Sequence, residues 1–256
     1  MRMLIYKFFR FWVRLFTVKY TLEGVENLPK DACIVVGNHA QMSAPIGNML
    51  YYPRPKRVWC IGEMMHFKEV PAYAFADFWS QKPKYIRWFF KISSYLIAPL
   101  AVIIFNSADT IGVYKDKRMT QTFKESVAAL KRGEDVIIFP EEHKPHNNIV
   151  YEFQIGFVDV ARLYHKDTGA NVSFVPQYVA PDLKKIYFGE PVVYDDTAPA
   201  KAERVRISEE MQRRITELAR SLPEHTVIPY ENIPKSQYPK NTDYDLTKCS
   251  EAAEEK

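Results

Sequence analysis

The sequence predicts an α/β fold, a single domain with a mostly parallel mixed sheet flanked by helices and an N-terminal amphipathic helix in front of it. Three observations carry that prediction. Short apolar, β-branched runs alternate with helical stretches along most of the chain, the pattern of strand–helix–strand units. The runs in ACIVVGNHA and EDVIIFPEE end abruptly in small, polar or charged residues, as buried strands do when they deliver a loop. At 256 residues, 47% hydrophobic and 26% charged, the chain can also build a sizeable core. No internal linker is visible, so the expected division is an interfacial helix over 1–18, an α/β domain over 19–222 and a Pro-rich polar extension over 223–256.

The elements follow in order. KYTLEG alternates and predicts a short strand, and Pro29 closes the turn after it. ACIVVGNHA predicts a buried strand, and Pro45 starts a helix over 45–52. RVWCIG gives a strand, and 62–82 is helical in patches, with Pro71 near a helix start. A strand over 111–114 leads to a helix over 119–132 ended by Gly133. EDVIIFPEE is the strongest strand signal, and a helix over 152–167 ends at Gly169. VSFVPQYVAP predicts a strand and KKIYFGEPVVY a hairpin-like pair. A charged helix over 199–221 carries the apolar stripe Val205, Ile207, Met211, Ile215, Leu218 and Leu222. From Pro223 onward the chain is expected to wrap the surface or fray.

Charge is unevenly distributed. The net +4 comes from 35 basic and 31 acidic residues. Residues 1–22 hold Arg2, Lys7, Arg10, Arg14 and Lys19 and no acid, whereas 241–256 is acidic on balance. The body between is nearly neutral, which excludes the broad basic groove that duplex nucleic acid requires. In the head, Leu4, Phe8, Phe11, Trp12 and Leu15 recur at spacings of three and four, widened by Phe9 and Phe16, with Lys7, Arg10 and Arg14 opposite. This describes a basic amphipathic helix suited to an anionic membrane interface, or one packed on the protein's own core. The cations interrupt it too often for a signal peptide.

A second apolar segment, WFFKISSYLIAPLAVIIFNSA over 88–108, has Lys91 as its single charge. It approaches bilayer-spanning length, but Pro99 is expected to break or kink it, which favours a shallowly inserted, monotopic element over one buried in the protein or one that spans. Trp79, Tyr85, Trp88, Phe89 and Phe90 would serve as an interfacial belt or as soluble core. The chain is therefore expected at the cytoplasmic face of a membrane, with the bilayer as a partner.

Several chemistries are excluded. Only 9 glycines occur, and neither GxGxxG nor GxxxxGK[ST] is present. Cys33, Cys60 and Cys249 lie far apart, with no zinc or disulfide spacing. Two strand ends remain. Asn38-His39 follows IVVG, and Phe139-Pro140-Glu141-Glu142-His143 follows VII. In α/β sheets the carboxyl ends of strands carry the site, and a histidine there can act as general base near neutral pH. His143 and His146 share an H-x2-H spacing near Glu141, Glu142 and His39, but Pro145 between them fixes no common helix face, so no metal is expected. PEEHKPHNN otherwise reads as a solvated loop. Glu63, His66, Lys68 and Glu69 read as a surface helix, or else as facing a substrate cleft, and His165 and His225 read as surface residues.

IVVGNHAQMSA, GVYKDKR, VIIFPEEHK and FVPQYVA occur in that order. They resemble the four blocks of the glycerolipid acyltransferase family, which contains lysophosphatidate acyltransferase, over about residues 20–195. The resemblance implies a glycerol-3-phosphate acyltransferase-like fold and transfer of a fatty acyl group from acyl-CoA or acyl-carrier protein to the free hydroxyl of 1-acyl-glycerol 3-phosphate, without a further cofactor. It implies two catalytic residues, His39 as the base and Glu141 positioning the acceptor hydroxyls or a cation. Substrate contacts would come from Asn38, Lys117, Arg118, Phe139, Pro140, Lys144, Val175 and Pro176, with the three cations on phosphate. The chain departs from NH-x4-D: Ala44 stands where the family has Asp. Gln41, Ser43, Glu142 or Glu141 would then have to orient the imidazole. The alternative is a catalytically inactive acyltransferase-fold protein that binds lipid or a partner.

Overall fold

The computed structural model describes residues 10–79, 83–107 and 110–243. Most of the basic head, from Arg2 to Phe9, and the acidic end with Cys249 lie outside the described residues, while 10–16 form a helical stretch, α1. In chain order follow β1 (Thr21–Glu23), β2 (Ile34–Gly37), α2 (Ser43–Tyr51), β3 (Lys56–Ile61), α3 (Val70–Ala74), α4 (Arg87–Ser107) and β4 (Ile111–Val113). Then come α5 (Met119–Lys131), β5 (Asp135–Ile138), β6 (Glu141–Pro145), β7 (Tyr151–Phe153), α6 (Asp159–Thr168), β8 (Ser173–Ala180), β9 (Lys185–Phe188), β10 (Val192–Val193) and α7 (Ala200–Ser221). The fold is mixed α/β with a mostly parallel sheet flanked by helices. The chain divides into two compact units, Met1–Thr17 with Arg57–Ser126 and Val18–Lys56 with Val127–Lys256.

In the second unit the strands run β1-β9-β8-β2-β5. β2 pairs in parallel with β5 on one side and β8 on the other, so Val35 lies opposite both Ile137 and Val175. All four residues of β2 and of β5 are buried, which is why both read as unbroken Ile/Val runs rather than alternating ones. The hairpin expected over KKIYFGEPVVY does not form, because β9 and β10 each pair antiparallel with β8 instead of with one another. Pro176, which has no N–H to give a ladder, falls between the two paired stretches. There its carbonyl accepts the Gly189 N–H at 2.8 Å, and a Cβ on Gly189 would stand 2.9 Å from Pro176 Cγ.

The helix expected over 152–167 begins only at Asp159. Residues 151–153 instead pair with β6, with Glu141 opposite Phe153, and a 3-10 turn over Ile155–Val158 leads into α6. α7 packs on β8 and β7 with Ile207, Met211, Ile215 and Ala219 inward. Val205, expected in that stripe, is exposed. Glu203 takes an inward place because its carboxylate accepts the Asp195 N–H at 2.9 Å and the Arg206 fork at 2.6 Å. As far as residue 243 the chain after α7 is bound back rather than frayed. Asn241 donates to the Ala219 and Leu222 carbonyls at the helix end and accepts the His225 N–H at 2.9 Å. His225, expected at the surface, is buried and hydrogen-bonded to Tyr178 at 2.9 Å.

In the first unit β3 and β4 pair in parallel, Trp59 opposite Ile111. α3 and α4 pack together around Met64, Val70, Ala74, Ala98 and Ala101. α4 is one continuous helix through Pro99, so the expected break is absent. Its inward side is small, with Ser94, Ala98 and Ala101 buried, and its outward side is large, with Trp88, Phe89, Ile92, Tyr95, Leu96, Leu100 and Ile103 exposed. Among the described residues, Lys84–Asn106 is the helical stretch long and apolar enough to cross a bilayer.

The second unit is pinned at the entrance of β5 by Asp135. Its carboxylate accepts the Cys33 N–H at 2.8 Å, the Tyr52 hydroxyl at 2.6 Å and two bonds from the Arg54 guanidinium at 2.8 and 2.9 Å. Burial, with the Asp135 carboxylate adjacent, pushes the Cys33 thiol and the Tyr52 phenol upward in pKa. Removing the carboxylate leaves a part-buried guanidinium, a hydroxyl and an amide without their acceptor. Asp135→Ala is expected to lower unfolding free energy by about 3–5 kcal/mol, read from urea midpoints at constant slope. A loss under about 1 kcal/mol would mean that the cluster behaves as a surface ion pair.

Candidate functional site

β2 and β5 are neighbouring parallel strands, so their carboxyl ends open side by side. Asn38 and His39 leave β2, while Phe139, Pro140 and Glu141 leave β5 and enter β6. Asn38 is buried, and both ends of its amide are committed to one residue of β8. Its Nδ2 donates to the Val179 carbonyl at 3.1 Å, and its Oδ1 accepts the Val179 N–H at 2.7 Å. The side chain acts as an added rung that fixes the chain one residue before His39.

Glu141 lies beside that turn, buried to 4% exposure. One carboxylate oxygen accepts the His39 main-chain N–H at 2.5 Å, and the other accepts the Tyr151 N–H at 2.8 Å. Burial pushes its carboxyl up to about 7, against the two N–H donors that favour the ionised form. After His39 the chain makes a tight left-handed turn: Ala40 and Gln41 have φ of 43° and 54°. Left-handed backbone is uncommon for non-glycine residues and persists where surrounding contacts hold it. The Gln41 amide is one such contact, donating to the Tyr238 hydroxyl at 3.0 Å and the Glu231 carbonyl at 3.3 Å.

The His39 imidazole stands between two aromatic rings. Phe139 meets it edge-on at 5.5 Å between centroids, and Tyr230 meets it at 5.5 Å with planes 82° apart. Burial lowers its pKa to about 4, with a smaller opposing contribution from the Gln41 main chain. It is therefore neutral across the physiological range, with a lone pair available. Its Nδ1 is buried and has no hydrogen-bond partner among the described residues.

The residues expected to orient the imidazole are engaged elsewhere. Gln41 points to the tail, the Ser43 hydroxyl bonds Tyr20, Glu141 binds main-chain N–H groups, and Glu142 is exposed on β6. Ala44 is fully buried in the first turn of α2. Lys144 is exposed on β6, so EEHKP within the expected PEEHKPHNN loop is a strand. Pro140 is buried, and its carbonyl accepts the Gln154 N–H at 2.8 Å. Val175 and Pro176 are interior residues of β8.

Lys117 and Arg118 belong to the other unit. Lys117 is exposed. Arg118 forks onto Glu69 at 2.9 and 3.1 Å, pairs with Asp116 at 2.8 Å and lies 4.1 Å over the Tyr114 ring. The Tyr114 hydroxyl is 2.8 Å from His66 Nε2. Glu69, expected at the surface, is the ion-pair partner of Arg118, and His66, exposed as expected, hydrogen-bonds the ring beneath that guanidinium. Among the described residues no group of three or more His, Cys, Asp or Glu converges as a metal site.

Sequence reasoning missed Tyr230, Glu231, Tyr238 and Tyr151, which surround the His39 turn. It also missed the buried amide pair Asn48–Gln177, joined by reciprocal bonds of 2.8 and 2.9 Å. Gln177 had a readable signal, a polar residue inside the apolar run FVPQYVA. It closes the space above Gly37, where a Cβ would meet Gln177 Oε1 at 3.1 Å.

No family model matches the chain, and no curated protein does. Among solved structures the chain is similar to the 1-acyl-sn-glycerophosphate (LPA) acyltransferase PlsC from Thermotoga maritima. The identity is 20% and the TM-score 0.47, over 84% of this chain and 78% of that one.

Proposed function

We propose that the chain is an acyltransferase that moves a fatty acyl group from acyl-CoA or acyl-carrier protein to the free hydroxyl of 1-acyl-glycerol 3-phosphate. The observation that carries the reading is the neutral His39 imidazole packed by Phe139 and Tyr230 at a strand end, its main-chain N–H held by the buried Glu141, within blocks that resemble those of glycerolipid acyltransferases. His39 takes the proton of the acceptor hydroxyl while its oxygen attacks the thioester carbonyl. The C–S bond breaks, and the thiolate leaves with the proton from the imidazolium. No acyl-enzyme and no further cofactor are needed.

Ionised Glu141 would stabilise the imidazolium through space. Phe139 forms an apolar wall against the base, and Asn38 positions it through Val179. Pro140, Val175 and Pro176 shape that wall from the sheet side. In the unit that holds His39, the exposed Lys144 is the cation offered to the acceptor phosphate; in the other unit Lys117 is exposed and Arg118 is already engaged by Glu69 and Asp116. The enzyme works at the cytoplasmic face of the membrane, the outward aromatic and aliphatic side of α4 lying in the interface with Lys84, Arg87 and Lys91 toward anionic headgroups.

One observation favours a second reading. Among the described residues the imidazole Nδ1 has no hydrogen-bond partner, and Ala44 supplies none. In an analogous Ser-His-Asp triad, loss of that carboxylate function costs about 10^4 in turnover. A catalytically inactive protein of this fold, binding lipid or a partner, would show the same absence.

Three outcomes test the proposal. His39→Ala should reduce acyl transfer from labelled acyl-CoA or acyl-carrier protein by about 10^2–10^4-fold. Background-level product from wild type and variant alike would leave only the inactive reading. The pH profile follows from the two shifts. With His39 lowered to about 4, its deprotonation is complete well below neutrality, so no limb appears near the ordinary histidine value. Glu141, raised to about 7, ionises in the neutral range and gains charge as pH rises, so kcat should rise through about pH 7. Glu141→Gln should abolish that limb, and a profile unchanged by it would separate Glu141 from the reaction. Finally, the double variant Ile92→Glu, Leu96→Glu should lose co-sedimentation with anionic phosphatidylglycerol vesicles by tenfold or more at unchanged melting temperature. Full retention of vesicle binding would remove α4 as the membrane element.

A further inference from the structure

The chain after α7 forms a loop closed by a neck. Thr226 bridges Lys240 antiparallel, Val227 N–H bonds the Pro239 carbonyl at 2.8 Å, and Asn241 N–H bonds the His225 carbonyl at 3.1 Å. Asn241 fixes the neck to the end of α7, and His225 fixes it to Tyr178 of β8. The body of this loop, residues 228–238, reaches the His39 turn at two points. Tyr230 packs edge-on against the imidazole, and Tyr238 with the Glu231 carbonyl receives the Gln41 amide. Tyr230 is itself wedged between His143 at 5.6 Å and Tyr151 at 5.8 Å, and Tyr151 shares Glu141 with His39.

We propose that the necked loop is the device that positions the base in this chain, Tyr230 holding the His39 ring against Phe139 and Gln41 holding the turn behind it. The inference rests on the reading of His39 as the base. An imidazole can be fixed by a hydrogen bond to Nδ1 or by packing on its faces and edges. A partner on Nδ1 is absent among the described residues, the Gln41 main chain gives the ring one minor backbone contact, and ring packing is present from both Phe139 and Tyr230. The same loop also braces the left-handed backbone at Ala40 and Gln41, which determines where the ring begins. Tyr230 is a positioning residue, since it acts through His39. The ionisable groups facing the imidazole region are Glu141, Tyr151 and His143 with Glu231, whose carboxylate lies 3.9 Å from His143 Nδ1.

The test uses the full chain with labelled histidine, His39 being assigned by its loss in His39→Asn. In wild type the His39 ring should titrate near 4. In Tyr230→Ala, which opens one side to water, it should move upward by a unit or more toward the ordinary value. Tyr230→Phe, which keeps the ring and loses only the hydroxyl, should restore the wild-type titration. In acyl transfer, Tyr230→Ala should lower kcat tenfold or more with KM changed less than threefold, again restored by phenylalanine. If Tyr230→Ala does not fold, Gln41→Asn tests the same device, because asparagine tolerates the left-handed backbone but is one methylene too short to hold the loop. Amide exchange over 228–238 should then speed tenfold or more. A His39 titration that Tyr230→Ala leaves unchanged, or exchange that Gln41→Asn leaves unchanged, overturns the proposal. Absence of acyl transfer in wild type with the titration shift present would instead overturn the acyltransferase reading alone.

Discussion

One buried carboxylate joins the segments on which the candidate site stands. Glu141 accepts the main-chain N–H of His39 with one oxygen and that of Tyr151 with the other. The first comes from the end of β2 and the second from β7, and Glu141 itself begins β6. Backbone donors at a strand end must find acceptors, and an unpaired buried amide costs about 1–3 kcal/mol. A glutamate aimed across the gap satisfies two at once. Its burial also means that its charge is only marginally favoured, so one side chain that organises the site is also poised to change state within it.

The two units solve opposite packing problems. In the second, continuous Ile and Val runs let β2 and β5 bury both faces, and the polar groups that enter the interior do so in satisfied sets: Asp135 with Arg54 and Tyr52, Glu203 with Arg206, Asn48 with Gln177. In the first, α4 reverses the ordinary arrangement. Its small residues face the packed side, and its aromatic and branched residues face outward, Leu96 at 74% exposure and Trp88 at 65%. A helix in water gains by burying its large apolar side. That exposed stripe is the feature on which the interfacial role proposed for α4 rests.

Much of the sheet was legible because buried parallel strands leave a local trace. IVVG and DVII are apolar without alternation, and the polar residues that follow mark where each strand delivers its loop. What local pattern could not show is pairing across distance. KKIYFGEPVVY looks like a hairpin, yet both halves are drawn to β8, because Pro176 leaves a gap there that Gly189 fills. YEF belongs to β7 because Glu141–Pro145 offers it a partner, although the stretch after it is helical. At the site, Asn38, His39 and Glu141 stand at strand ends and were visible as chemistry. The contacts of the Gln41 amide were not, since its partners Glu231 and Tyr238 lie in a tail whose proline-rich composition suggests only solvent.

That tail changes how the missing carboxylate at Ala44 should be weighed. A carboxylate on Nδ1 does two things: it fixes the ring, and it stabilises the imidazolium that forms. Steric packing by Phe139 and Tyr230 can supply the first and not the second. The second needs negative charge, and Glu141 is the buried carboxyl attached to the same turn. Its value near 7 makes that charge available at neutral pH without a permanent ion in the interior. Orientation and charge stabilisation, combined in one residue in the NH-x4-D arrangement, would here be divided between a loop from the C-terminal segment and a strand-end glutamate. Such a division predicts that the two functions can be lost separately, whereas in a single carboxylate they must fail together.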